Sequence, residues 1–94
     1  QAALDFHEEA LRIREQIGDR PGMVESLNAV GIQRRRAGDL YQALDHHTRA
    51  LGLARELAME REVAQALALI ARIYTALDDH EPALEFYRQA LEAL

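Results

Sequence analysis

The pair Ala-Leu recurs in this chain at a spacing that leaves few folds open. Ala43-Leu44 is followed seven residues later by Ala50-Leu51. Seven residues are close to two turns of an α-helix, so both pairs lie on one face. The same frame stands 40 positions earlier, as Ala3-Leu4 and Ala10-Leu11, and 40 positions later, as Ala83-Leu84 and Ala90-Leu91. Of the 54 residue pairs separated by 40 positions, twelve are identical. A chain rich in Ala and Leu matches itself by composition alone, but composition does not set the matches in one register three times. The chain therefore reads as an internal repeat with a period of 40, built from helices. Repeats of that kind stack into a solenoid, and a solenoid presents a binding surface.

The rest of the composition agrees with stacked helices. Ninety-four residues make one domain. Hydrophobic residues are 49% of the chain, yet only three Tyr and two Phe are present and there is no Trp. Ala/Leu helices do not need that bulk, because small residues let neighbours approach closely. Five Gly and two Pro are too few for a sheet with many turns. The net charge of −5 argues against direct nucleic-acid binding, which needs cations to displace phosphate counterions. Without cysteine there is no disulfide framework and no thiolate metal site, which fits a reducing, cytoplasmic setting. No apolar run approaches the ~20 residues of a membrane span, and no signal peptide is expected. The chain starts without Met and inside a helical pattern, as an array segment of a larger protein would.

From the start of the chain, residues 1–17 form an amphipathic helix with Ala3, Leu4, Phe6, Ala10, Leu11, Ile13 and Ile17 on its apolar side. Gly18 closes it, Asp19-Arg20-Pro21-Gly22 is a turn, and a second helix runs from Pro21 to Ala37. Val24, Leu27, Val30 and Gly31 mark its buried stripe. After Gly38, Asp39 and Gln42 have the spacing of a capping box, opening a third helix that reaches Ala58. Met59-Glu60-Arg61-Glu62 is assigned as the next linker on the repeat alone, since it holds neither Gly nor Pro. A fourth helix runs to Leu77. Asp78-Asp79 caps a fifth, in which Pro82 is tolerated in the first turn.

These residues resemble the tetratricopeptide repeat. Leu27-x-x-Val30-Gly31, then Gly38-Asp39, Ala43, His47 and Ala50, carry the resemblance, and Leu67-x-x-Ile70-Ala71-x-x-Tyr74, then Asp79, Ala83, Tyr87 and Ala90, carry it again. The usual period of that family is 34. A period of 40 is similar to the subclass with a lengthened second helix, found in kinesin light chains, in cell-polarity G-protein regulators and in the sensor parts of bacterial ATPase-type transcription regulators. The resemblance implies an all-α, right-handed solenoid of five antiparallel helices. Residues 1–18 are the second helix of a truncated repeat, and 21–58 and 61–94 are repeats. Gly31, Ala43, Ala50, Ala71, Ala83 and Ala90 are the small residues at the close crossings. Two positions depart from the family pattern: Arg34 stands where it has Tyr, and His47 where it has an aromatic.

The resemblance further implies a non-catalytic module whose concave face binds a protein or peptide. The positions that line that face are Glu25, Asn28, Ile32, Arg35 and Arg36 in the second helix, and Gln65, Ala68, Leu69, Arg72 and Thr75 in the fourth. Arg35 and Arg72 give it a basic floor suited to an acidic partner. A clamp for a peptide's terminal carboxylate is not expected: Asn28 matches one of its positions, but Ile32 and Leu69 do not. Arg34, Arg35 and Arg36 point about 100° apart on a helix and cannot make one flat anion patch. Among His7, His46, His47 and His80 no pair has the i, i+4 spacing that metal binding on one helix requires, so neither metal nor cofactor is expected. Arg34 and His47 are expected to face each other in a polar spot, with an internal Glu as the acid they meet. The lone Ser26 and the threonines have no recognisable base beside them, so no catalytic residue is assigned. The truncated ends are expected to expose Phe6, Leu11 and Ile13 at one side and Leu84, Tyr87 and Leu91 at the other, giving a route to self-association.

Overall fold

The structure, a computed structural model, describes residues 2–94; Gln1, which the sequence places in the first helix, lies outside the described residues. Five helices follow one another: α1 (Ala2–Ile17), α2 (Arg20–Arg36), α3 (Leu40–Glu56), α4 (Glu60–Ala76) and α5 (His80–Glu92). No strand occurs among the described residues. Each helix packs on the next, and α2 also touches α4. The molecule measures 38 × 30 × 14 Å. A thickness of 14 Å is that of two helix layers whose axes are about 9 Å apart. One layer holds α2 and α4, the other α1, α3 and α5. Turns of two or three residues make neighbours antiparallel, so α2 and α4 run the same way.

The turns obey a shorter period than the side chains. Positive φ angles occur at Gly18, Gly38, Ala58 and Asp78, which are evenly spaced along the chain at half the side-chain period. After each, the next amide reaches back five residues: Asp19 N to Arg14 O (2.9 Å), Asp39 N to Arg34 O (2.8 Å), Met59 N to Ala54 O (2.9 Å) and Asp79 N to Tyr74 O (2.9 Å). This is the Schellman closure, which satisfies the last helical carbonyls and needs a left-handed residue. The repeating unit is thus two halves of equal length. Both α2 and α3 span 17 residues, so the two helices of the unit are equal in length.

Several boundaries and caps differ from the sequence reading. The third helix stops at Glu56, and the break before α4 lies at residues 57–59, so Glu60, Arg61 and Glu62 are helical. Ala58 takes φ 55° there because the stack requires the turn even without glycine. The capping box at Asp39 does not form, and Asp79 makes no side-chain cap either. The Asp39 carboxylate is drawn instead towards Arg34 Nη1 at 3.5 Å. Asp19, which the sequence marks only as a turn residue, is the aspartate that caps: its Oδ1 accepts from Gly22 N at 3.0 Å.

Packing follows the small residues. Gly31, Ala43, Ala50, Ala71, Ala83 and Ala90 are all buried, as the resemblance implies. One cluster joins Leu11, Val24, Leu27, Ala50 and Ala54; a second joins Leu51, Ala66, Leu67, Ile70 and Ala90, and Val63 packs against both. Leu11 is a correction to the expected exposed end. It points inward to the cluster of Val24 and Leu27, while Phe6, Ile13 and Ile17 stand on the outer side of α1. Leu84, Tyr87 and Leu91 are exposed on α5 as expected.

Candidate functional site

The most polar part of the interior lies between α2 and α3. His47 is 0% exposed and Asn28 4%. The imidazole Nδ1–H donates to Asn28 Oδ1 at 2.9 Å. With the proton on Nδ1, Nε2 is an acceptor, and it is buried without a partner. Gly31 makes room for the ring: a Cβ built there would lie 2.5 Å from His47 Cε1. Loss of hydration, reinforced by His46 and Arg35, pushes the His47 pKa down from 6.5 to about 4, so the ring is neutral at pH 7. Arg34 does not face His47. Its Nη2 donates to Glu8 Oε2 at 2.7 Å, so the internal glutamate is present but belongs to Arg34 alone.

Asn28 is also where this polar seam meets the surface. It lines a groove of about 490 Å³ between α2 and α4, together with Val24, Glu25, Ala29 and Ile32 of α2 and Arg61, Glu62 and Gln65 of α4. Its amide nitrogen makes no hydrogen bond among the described residues, while its oxygen is held by His47. The groove therefore has one oriented donor at its floor, an apolar flank from Ile32 and a mixed-charge rim from Glu25, Arg61 and Glu62.

The ten residues singled out from the sequence are distributed as follows. Glu25, Asn28, Ile32 and Gln65 share this groove. Gln65 and Ala68 also line a second, more apolar groove between α4 and α5, of about 600 Å³. Arg35 is half-buried and Arg72 exposed; both continue the stripe beyond the groove, one turn past Ile32 on α2 and two turns past Gln65 on α4. Arg36 turns to a shallow depression with Leu4 and Gln33. Leu69 is buried, and the Thr75 hydroxyl is committed to Ala71 O at 3.0 Å. Arg61 and Glu62 escape the sequence reading because it places them in a linker; the even spacing of the turns, visible in Gly18 and Gly38, is the signal that would have found them. The bond between Asn28 and His47, 19 positions apart, has no such signal.

No group of three His, Cys, Asp or Glu side chains is placed to hold a metal ion among the described residues. No helix described is long and apolar enough to cross a membrane.

Two layers of antiparallel helices in a fixed register, with a groove between alternate helices, define a helix-hairpin solenoid built to present a surface. The sequence model of the tetratricopeptide repeat family matches residues 1–56 and, in a second placement, residues 22–94. The chain belongs to the tetratricopeptide repeat family. Repeats of this family generally mediate protein–protein interaction and are generally non-catalytic. No curated protein sequence matches the chain.

Proposed function

We propose that the groove between α2 and α4 holds an extended segment of a partner protein. The observation that carries this reading is Asn28: an amide only 4% exposed, on the groove floor, whose oxygen is committed and whose nitrogen is free to meet a peptide carbonyl or carboxylate. Ile32 supplies an apolar wall for a neighbouring side chain. Arg35 and Arg72 continue the same stripe and favour an acidic residue further along the partner, a contact that would weaken with salt. The resemblance to arrays with a period of 40 supports a place as the sensor or scaffold segment of a larger regulatory protein.

Selection of a random peptide display library on the immobilised chain, followed by calorimetry of the enriched peptides, tests it. Ile32→Lys with Gln65→Glu, both on the groove wall, should weaken those peptides by roughly tenfold or more. Enriched peptides that bind the double variant as tightly as the original chain would refute the groove. A second reading, a scaffold of copies joined through their ends, is favoured by the apolar stripes on the outer sides of α1 and α5. Sedimentation velocity across a concentration series distinguishes it.

A further inference from the structure

The Asn28 amide shows its nitrogen to the α2/α4 groove because of what holds its oxygen. Turned by half a circle about its last side-chain bond, the same amide would fill the same space with the oxygen outward. His47 makes the choice. Its ring lies under Gly31 with the N–C–N edge turned to that residue: Cε1, Nε2 and Nδ1 are the atoms that a Cβ there would meet. Nδ1 bonds Asn28 Oδ1 at 2.9 Å, and Nε2 is buried without a partner. One ring nitrogen therefore goes unbonded, whichever of the two carries the proton. A bare acceptor is the cheaper orphan, since buried N–H groups without partners are the rarer kind. The proton stays on Nδ1, the ring donates, and the amide answers with its oxygen.

We propose that His47 is the positioning residue of the groove: by donating from Nδ1 it fixes the floor amide as a hydrogen-bond donor, and a second proton on its ring undoes that hold. This rests on the reading that the groove receives a partner segment. It adds that the segment must offer an oxygen at Asn28 and that its affinity falls with acid. A doubly protonated ring carries an N–H at Nε2 that meets no acceptor, so it leaves its place under Gly31 and Asn28 loses its anchor. The surroundings of the ring favour the neutral form. α3 packs on α2 and α4. Burial comes first, then His46 of α3 and Arg35 of α2, and together they lower the ring's pKa from 6.5 to about 4. From α4, Glu60, Arg61, Glu62 and Arg72 have no effect on the ring. The α1 carboxylates Glu8 and Glu15 are engaged by Arg34 at 2.7 Å and Arg49 at 3.8 Å.

The test is NMR of the whole chain, labelled with heavy nitrogen and without ligand. Ring-nitrogen shifts should report His47 as the Nδ1–H tautomer at neutral pH. Nitrogen relaxation should give the Asn28 side-chain amide an order parameter near the ~0.85 of rigid groups. His47→Phe keeps a flat ring but has no donor, and the Asn28 order parameter should fall below about 0.6. His47→Asn is smaller but places an amide nitrogen near the position of Nδ1, and it should restore most of the order. A residue that merely filled space would rank the two variants the other way. In the native chain, lowering the pH towards 4 should release Asn28 in step with the titration of the ring, while the backbone amides of α2 still report a helix. This last measurement decides the matter even where a variant fails to fold. An Nε2–H tautomer, an Asn28 as rigid in His47→Phe as in the native chain, or a ring that titrates without releasing Asn28 would each overturn the proposal. Because no ligand is present, these outcomes are separate from the groove reading: peptides indifferent to Ile32→Lys with Gln65→Glu would remove the partner and leave the orientation of the amide as measured.

Discussion

The two repeats share one backbone plan and fill it by opposite means. Around α2 of the first repeat the apolar contacts are joined by polar ones: His47 of α3 sits under Gly31 and bonds Asn28, while Arg34 reaches across to Glu8 of α1. Between α4 and α5 the contact is aromatic. Tyr74 stacks on Phe86 with ring centroids 5.6 Å apart and planes 8° from parallel. Tyr87, the counterpart of His47, stands 38% exposed at the edge, and Ala71 replaces Gly31. Glycine and histidine are here one choice. A ring turned inward at the crossing demands the absence of a Cβ opposite it, and a ring turned outward permits one. The first repeat thereby gains a specific buried hydrogen bond and an unpaired ring nitrogen; the second gains apolar burial and carries no buried titratable group.

The largest expected effect that separates the repeats is on pH. His47 has its folded pKa lowered to about 4, below the unfolded 6.5. Between those values the unfolded chain binds the extra proton and the folded chain does not, so stability is full above pH 6.5 and falls as pH drops towards 4. The loss attributable to this residue should approach about 3 kcal/mol. Urea melts from neutral pH down to the lower pKa check it, and His47→Gln should flatten the profile over that window. An unchanged slope in the variant would mean that the carboxylates, not His47, set the acid sensitivity.

Gly31→Ala comes next, with an expected loss of about 2 kcal/mol as the new methyl meets the His47 ring. Alanine is native at position 71, where Ala71→Gly should cost about 1 kcal/mol or somewhat more, from added chain flexibility and the loss of a buried methyl. If the ring is the cause, His47→Ala should make Gly31→Ala far less harmful, and a double-mutant cycle of melts would show coupling. Additive losses would instead point to the α2 backbone.

A smaller effect is expected at the joint between the repeats. Ala58 adopts φ 55° where the two earlier turns use glycine. Ala58→Gly should raise stability by about 1 kcal/mol, since the left-handed conformation costs an L-residue roughly that much. Asp78→Gly should give only a few tenths, because Asp tolerates this region better than Ala does. Melting midpoints rank the two. An Ala58→Gly variant no more stable than the parent would show that the closure does not strain this turn.

Much of the architecture is legible in the sequence, because it rests on local periodicity. The Ala-Leu register marks the first, third and fifth helices, the apolar stripes and turn residues between them mark the other two, and the family resemblance adds the six small residues at the crossings. The capping roles of the aspartates are not legible. Asp19 caps its helix through Gly22 N, whereas Asp39 is drawn to Arg34. Leu11 belongs by position to an exposed end, yet the neighbouring α2 covers it.

The sequence by itself determined that this chain is a helical repeat and where its close contacts fall. Only the tertiary structure decided which polar side chains meet: that Asn28 turns its oxygen to His47 and leaves its nitrogen to the groove, and that Arg34 closes on Glu8, far from it in the chain. The physical reason is that helix formation and hydrophobic patterning act over a few neighbouring residues. Buried polar groups must instead find partners wherever the packed helices bring them, at separations no local pattern encodes.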